Sequence, residues 1–587
     1  MFKVIILLAA LLCMFYAKKA ISQTSHSGQG RHPDQTNDRR WWKEAIVYQI
    51  YPRSFSDNDG DGIGDLKGII SRLDYIKSLG VNAVWLNPIY SSPNDDNGYD
   101  ISDYRNIMKE FGTMEDFDAL LKGMHDRGIK LVMDLVVNHS SDEHEWFKQS
   151  RSSRTNPYRN YYHWWNADRG KPAPRYSLFD VNHDAWMYDS LTDAWYLHYF
   201  SRKQPDLNWE NPRVRKEVFD IMRFWADKGI DGFRLDAFQF VAKDTSFPVF
   251  PAGYETDFIQ YYAMGPHLHD YLKEMNQEVL SKYDVMSVAE GAGRSFDDAH
   301  KLVDADRHEL NMAYAFDGIE IAKPEGYSLL HFKDVFSRWD SVFARKGWLS
   351  IFLANHDQAR LVSRFGNDAP SFRDLSSKML STFILTMRGT PYYYNGDELG
   401  MTNAGFTSID EYRDVQTLNE YKHVVKTSGD IPAYLKRIQA TSRDNSRTPM
   451  QWDASAQAGF TTGTPWIKVN SNYVAINASV QETDPNSCLN YFRKLTKLRK
   501  EELTLVYGKY TLLDKMNPNV YAYLREWQGR RLLILLNFSA EHASCHTELD
   551  LSKAGLLLCN YAEMPGAIQG AKDLRLRPYE ADVYEVR

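Results

Sequence analysis

The chain has 587 residues, with 70 Lys plus Arg against 77 Asp plus Glu, a formal charge of −7, 25% charged residues and 43% hydrophobic ones. That composition excludes wholesale disorder, the slight negative balance leaves no electrostatic footprint for a nucleic-acid partner, and only 4 cysteines exclude a disulfide-built scaffold. The outlying figure is 14% aromatic residues, with 36 Tyr and 15 Trp, a surplus that fills a core or lines a cleft that stacks sugar rings.

Residues 1–3 are a short basic start, and 4–17 (VIILLAALLCMFYA) are continuously apolar. The run is short for a bilayer span and suits a signal-peptide core. Small residues Ala17, Ala20 and Ser22 place cleavage at 20–22, although Lys18 and Lys19 leave an uncleaved anchor as the alternative. Cys13 follows Leu11 and Leu12 with no small residue beside it, which argues against a lipid anchor. The expectation is a signal peptide over 1–22, export to a periplasm or outside the cell, and no stable membrane span after cleavage. Residues 23–40 are polar and aperiodic, a linker. Without Cys13, three cysteines remain, of which Cys545 and Cys559 could pair in an oxidising compartment.

From residue 41 short β-branched or aromatic runs alternate with amphipathic helical stretches. Strands are expected at 46–50, 81–86, 129–137, 230–236, 285–290, 312–316, 348–355 and 391–395. Between them Ile69, Leu73, Ile76 and Leu79 recur at helical spacing. Thr113 and Asp116 form a capping box before Phe117, Leu120, Leu121 and Met124, and Gly128 closes that helix. Asn211-Pro212 opens a helix carrying Val214, Val218, Ile221 and Trp225, which Gly229 ends. Eight strands with helical spacers are the arithmetic of an α/β (β/α)8 TIM barrel, with a doubly wound open sheet as the alternative. Residues 139–209 break the rhythm as an inserted subdomain after strand 3. Residues 506–587 lose helical period and carry strand runs at 520–525, 531–537 and 581–586, a C-terminal antiparallel β domain. The catalytic barrel is therefore expected over 41–138 and 210–505.

In such a barrel, chemistry sits at the C-terminal ends of the strands. Asp134, Asn138 and His139 end the third strand, Arg234 and Asp236 the fourth, Glu290 the fifth, and Asn355, His356 and Asp357 the seventh. Any one of these reads as an ordinary solvated strand end. Three carboxylates converging on one rim cost free energy that is usually retained for a use. In an aromatic cleft, paired carboxylates suggest glycosidic bond cleavage, one ionised and one carrying a proton. Arg234 beside Asp236 would keep that carboxylate charged, and Glu290, with no adjacent cation in sequence, is the candidate for a raised pKa.

The segments WWKEAIVYQIYPRSF (41–55), DLVVNH (134–139), QPDLN (204–208), GFRLDA (232–237), VAE (288–290) and ANHD (354–357) together resemble the α-amylase superfamily, glycoside hydrolase family 13. More narrowly they look like its oligo-1,6-glucosidase and α-glucosidase branch, over about residues 41–587. The resemblance implies Asp236 as nucleophile, Glu290 as general acid/base and Asp357 as the stabiliser that binds ring hydroxyls, with retention of the α configuration. Arg234, His139 and His356 would bind the glucose whose bond breaks, Tyr99 would stack on it, and Phe200 would line the same pocket. Asp96 would clasp its non-reducing end, paired with Arg447 of SRDNSRTPMQWD, so that the enzyme removes terminal glucose. The resemblance also makes residues 139–209 the family's inserted domain and the C-terminal domain a sandwich. Gly291-Ala292 depart from the family, many of whose members carry a bulkier residue after the acid.

Ala237 directly after the nucleophile accompanies α-1,4 activity in similar enzymes, and Val accompanies α-1,6; the physical rationale is the room beside the leaving sugar, a contact of about 1–3 kcal/mol. A mere packing choice is the alternative. Oligo-1,6-glucosidase and sucrose-active hydrolase or transglycosylase are the competing activities. Sucrose isomerases carry an Arg-Leu-Asp-Arg-Asp signature that residues 336–353 lack. A non-catalytic relative, such as an amino-acid transporter heavy chain, would lack the carboxylate set and carry a true membrane span.

Asp57, Asp59, Asp61 and Asp65 alternate with glycines in DNDGDGIGD (57–65), hard oxygen ligands at a spacing that suits Ca²⁺. The twelfth position is Gly68 and a strand precedes the loop, so it is not an EF-hand; a solvated acidic turn is the alternative. The family resemblance implies a structural Ca²⁺ held by Asp57, Asp59, Asp61, the Ile63 carbonyl and Asp65. The implied partner is a small oligosaccharide or disaccharide. Asn138, Asn477 and Asn537 begin N-x-Ser sequons, which matter only in a glycosylating host.

Overall fold

Eight parallel strands pair in chain order in the computed structural model, which describes residues 39–344, 346–566 and 568–587. They are β1 (Val47–Ile50), β2 (Ala83–Leu86), β3 (Lys130–Val136), β4 (Gly232–Asp236), β5 (Met286–Ala289), β6 (Met312–Ala313), β7 (Ser350–Ile351) and β8 (Thr390–Tyr394). Each hydrogen-bonds to its neighbour from β1 round to β6, β8 pairs with both β7 and β1, and a parallel bridge between Ala313 and Leu349 joins β6 to the β7 side. The sheet is thus closed, a (β/α)8 barrel and not an open sheet. The expected signal peptide and nearly all of the expected linker lie outside the described residues.

Period 2 explains the closure. Val47, Ala83, Trp85, Val132, Met286, Val288, Met312 and Tyr392 fill the barrel interior, while alternate residues such as Tyr48, Val84, Leu131, Met133 and Phe233 face the surrounding helices. The helix Met114–His125 starts on the full Thr113–Asp116 capping box. Pro212–Lys228 starts with Pro at its first turn and ends at Gly229 with φ +103°, a left-handed cap that favours glycine.

The inserted segment leaves and returns at one point. His139 bridges Asp206, Tyr162 bridges Leu207, and the Leu207 N–H donates to the Asn138 carbonyl at 2.9 Å. Between these ends it carries a three-stranded antiparallel sheet of Trp164–Asn166, Trp186–Asp189 and Ala194–Leu197. The C-terminal region forms a five-stranded antiparallel sheet and a two-stranded one. Its strands are apolar on both faces: Tyr521, Tyr523, Leu532, Ile534 and Val583 join the main core, whereas Val520, Ala522, Leu533, Leu535 and Tyr584 pack within the domain. That double burial explains why these runs show no polar alternation. Cys545 and Cys559 are free thiols rather than a disulfide. No helix among the described residues is long and apolar enough to cross a membrane.

Candidate active site

The site grows from one buried cation. Arg234 and Asp236 are alternate residues of β4 and face the same way. Arg234 is fully buried, with its guanidinium 5.0 Å from the Trp85 ring centre. Its Nη1 donates to Asp134 Oδ1 at 2.9 Å and to Asp236 Oδ1 at 2.5 Å, and its Nη2 donates to Glu290 Oε1 at 2.5 Å. Glu290, with no cation beside it in sequence, thus receives one from the neighbouring strand, and its expected raised pKa is nevertheless kept by burial. Adjacent strands bring it there, since Arg234 lies opposite Val288 on β5 and Glu290 follows two residues on. The other Glu290 oxygen accepts the Ala237 N–H at 2.8 Å. Ala237 has φ +45°, a left-handed backbone that costs a non-glycine residue, at the residue between Asp236 and the loop beyond.

Three carboxylates on one guanidinium leave a negative excess in a poorly hydrated place. Burial raises Asp236 to about 7 and Glu290 to about 7 against the pull of Arg234, and raises Asp134 to about 6. Such groups titrate together. Near neutrality the cluster retains a proton, so one ionised and one protonated carboxyl can coexist side by side, the condition for acid and nucleophile chemistry in a single site.

Asp357 is the opposite case. Burial alone would raise it, but His356, Arg443, Arg447 and Arg234 outweigh burial and hold it well below the ordinary carboxylate range. Burial keeps His356 itself neutral at ordinary pH, so the guanidiniums carry that effect. Arg443 Nη1 and Arg447 Nη2 each donate to Asp357 Oδ1 at 2.9 Å. His356 Nδ1 faces the Gln49 amide nitrogen at 2.8 Å, an arrangement that puts the ring proton on Nε2, 2.7 Å from the Tyr99 hydroxyl and 3.2 Å from Asp357 Oδ2.

Tyr99 lies almost parallel to His356, with ring centres 5.3 Å apart, and Asn87 and Asp134 bond its hydroxyl. His139 is neutral, pushed down to about 3 by burial; its Nε2 meets the Tyr99 carbonyl at 3.1 Å and the Gln204 amide at 3.2 Å. The Phe200 ring is 5.1 Å from His139. Asp96 accepts from Gln204 at 3.1 Å and from Arg443 at 3.3 Å. The expected Asp96–Arg447 pair is thus replaced by Asp96–Arg443. The segment Asp444–Arg447 is one helical turn, so positions 443 and 447 lie on one face. Arg443 extends to Asp96 and Asp414, while Arg447 is held by the His356 carbonyl and Asp357.

Sequence reading missed Arg443, Gln204, Asp414 and Phe179, whose ring lies 4.9 Å from the Arg443 guanidinium and 5.4 Å from Phe200. Arg443 had a signal, the i, i+4 spacing to Arg447. Phe179, inside an aperiodic insert, had none.

The acidic loop follows β1 and the turn Pro52–Ser54. Asp57, Asp59 and Asp61 bring one carboxylate oxygen each within 4.8 Å of one another. Burial, together with the neighbouring charges of Asp59 and Asp57, raises Asp61. Asp65 is turned inward: its oxygens accept the Asn58 and Gly68 N–H groups at 2.8 and 2.7 Å, capping the helix Leu66–Ser71. Three convergent hard oxygens fit a divalent cation such as Ca²⁺.

A family model of the α-amylase catalytic domain matches residues 49–508, and one of the maltogenic amylase C-terminal domain matches residues 510–581. The chain is 50% identical over 568 residues to an oligo-1,6-glucosidase of Parageobacillus thermoglucosidasius, covering 94% of this chain and 100% of that one. It is 45% identical over 560 residues to an α-glucosidase of Pediococcus pentosaceus, covering 93% and 99%. The crystal structure of the isomaltulose synthase SmuA from Protaminobacter rubrum superposes with a TM-score of 0.90 at 44% identity, covering 94% of this chain and 100% of that one.

Proposed function

Because the chain belongs to the α-amylase family of glycoside hydrolases, we propose that it is a retaining, exo-acting α-glucosidase that releases terminal α-glucose from short oligosaccharides and prefers α-1,4 linkages. The observation that carries the reading is the single guanidinium of Arg234 holding both Asp236 and Glu290; in retaining enzymes the nucleophile and acid/base carboxyls form a close pair about 5–5.5 Å apart. Ionised Asp236 attacks C1 of the glucose, and the bond from C1 to the glycosidic oxygen breaks as Glu290 gives that oxygen its proton. A β-glucosyl ester of Asp236 results. Glu290, now a carboxylate, takes a proton from water; the oxygen attacks C1 and frees Asp236, with two inversions giving net retention. Asp357, kept ionised, accepts from ring hydroxyls and supports positive charge developing at C1. Neutral His139 and His356 donate hydrogen bonds without adding charge, and Tyr99 and Phe200 supply the apolar wall. The Asp96–Arg443 pair with Gln204 ends the pocket and supports removal of one terminal unit.

The linkage reading rests on Ala237, the small residue directly after Asp236, whose N–H is bonded to Glu290. A second reading, α-1,6 hydrolysis, is favoured by the name of the relative at 50% identity. Incubation with maltose, isomaltose and sucrose separates them: kcat/KM is expected to be highest on maltose, with α-glucose as the first anomer seen by NMR. Equal or faster isomaltose turnover overturns the α-1,4 reading, and initial β-glucose overturns retention. Asp57, Asp59, Asp61 and the Ile63 carbonyl are assigned to one structural Ca²⁺ away from the reaction, with Asp65, expected as a further ligand, instead holding the loop by capping the helix Leu66–Ser71. On its N-terminal segment the enzyme is assigned to the periplasm or the cell exterior.

A further inference from the structure

The C-terminal sheet holds a free thiol beside two buried carboxylates. Cys559 ends the strand Gly555–Cys559, which pairs antiparallel with Ala581–Val586. In that register Cys559 lies directly opposite Asp582, so the two side chains leave the sheet side by side. Glu580 stands two residues before Asp582 and reaches the same place. One atom from each residue, a sulfur and two carboxylate oxygens, lies within 4.8 Å of the other two. Asp582 is 3% exposed and Glu580 2%.

The two carboxylates are not alike. Arg577 engages both oxygens of Glu580, its Nε donating at 3.0 Å and its backbone N–H at 2.6 Å. Asp582 enters no ion pair with a described residue, and its Oδ1 is sealed from water without a hydrogen-bond partner. Burying a carboxylate oxygen unpaired costs free energy, so this oxygen points to a ligand that the surrounding side chains do not supply. The Cys559 sulfur meets two donors, the Tyr561 N–H at 3.4 Å and Arg577 Nη2 at 3.8 Å. Donors around a sulfur favour the thiolate and are the surroundings of a metal-bound one. With the thiolate, two carboxylates and Arg577, the cluster holds two net negative charges, which one divalent cation cancels. A sulfur donor selects Zn²⁺ over Ca²⁺ and Mg²⁺, which take oxygen alone.

We propose that Cys559, Glu580 and Asp582 form a second metal site, separate from the acidic loop, that takes a thiophilic divalent cation such as Zn²⁺. The thiol gives its proton to solvent as the ion binds, each side chain supplies one donor, and water completes a four-coordinate shell. Cys559 is half-buried, which leaves the ion a way in. The bound ion pins Gly555–Cys559 to Ala581–Val586. The competing arrangement keeps the proton on the thiol, shared with Asp582.

Metal binding to the full chain tests it, with Ca²⁺ in excess throughout so that the acidic loop is filled. Wild type stripped of metal and dialysed against about 1 µM Zn²⁺ is expected to retain one Zn²⁺ per chain and to melt at a higher temperature. Co²⁺ in its place is expected to give a thiolate-to-metal charge-transfer band in the near ultraviolet. Cys559→Ser is expected to lose that band, and Cys559→Ser and Asp582→Asn each to bind Zn²⁺ at least about 10- to 100-fold more weakly. Absence of the band in wild type, or Zn²⁺ binding of equal strength in wild type and Cys559→Ser, overturns the proposal. Alkylation needs no variant: Zn²⁺ is expected to slow iodoacetamide labelling of Cys559 in the folded wild type at least about tenfold, read by mass spectrometry of its peptide. Equal labelling with and without Zn²⁺ establishes the shared proton instead and overturns the metal site.

Discussion

Glu290→Gln isolates the proton donor. In wild type, turnover needs Asp236 ionised, so the rate rises with pH through its titration, and needs Glu290 protonated, so the rate falls with pH through the other. Both groups are raised to about 7 and share Arg234, so the profile of kcat/KM is a bell whose limbs belong to the pair. Gln cannot titrate, so the alkaline limb disappears. Arg234 then serves two carboxylates instead of three, and the acid limb moves to lower pH. The loss of acid catalysis costs about 10²–10⁴-fold on maltose, whose leaving alcohol needs the proton, and far less on dinitrophenyl α-glucoside, whose phenolate leaves without it. With the activated substrate, azide restores turnover and forms α-glucosyl azide by attacking the β-glucosyl ester at the position that water, without its base, attacks slowly. A persistent alkaline limb, or equal losses on both substrates, refutes the assignment of Glu290 as the acid.

Two further outcomes follow from other contacts. Arg443→Ala leaves the buried Asp96 and Asp414 facing each other without that cation, a loss of about 3–5 kcal/mol in thermal stability and binding together; Asp96→Asn added to it recovers part of the loss, and the same addition to Arg447→Ala does not, the reverse pattern restoring Arg447 as the partner. Dialysis against a chelator lowers Tm with little change in kcat at room temperature, and added Ca²⁺ restores it, the stabilisation reaching about 2.7 kcal/mol at a free concentration 100 times Kd; calorimetry with no Tm shift refutes the metal loop.

The fold was legible because its signals are local. Each barrel strand is a short apolar run bounded by capped helices, and the residues that matter fall at strand ends, so Asp236, Glu290 and Asp357 could be found one by one. Their partners could not, because partnership is set by neighbouring strands. Arg234 was assigned to Asp236 by proximity in sequence, yet its fork reaches Glu290 equally well since β4 and β5 are hydrogen-bonded side by side. The family resemblance put Arg447 on Asp96, and residues on one helical face do not correct it: Arg443 and Arg447 lie on the same side of that turn, and only the direction in which it meets the barrel tells them apart.

The pocket wall was the least legible part for a related reason. Its aromatic residues come from the aperiodic insert and from the loop after β4, where Phe179, Phe200 and Phe240 meet through tertiary packing alone. On the proposed reading, linkage choice falls to that wall, because the carboxylates would serve either bond. Ala237 is bound through its N–H to Glu290 and strained at φ +45°, so a β-branched residue there must fit a backbone region that β-branching disfavours. Ala237→Val is therefore a test with two separable consequences: a stability cost of about 1–2 kcal/mol from the left-handed backbone, read by denaturation, and a shift of the maltose-to-isomaltose kcat/KM ratio toward isomaltose, read by kinetics on the folded fraction. A stability cost with an unmoved ratio would leave Ala237 a packing residue and transfer the control of linkage to the rest of the wall.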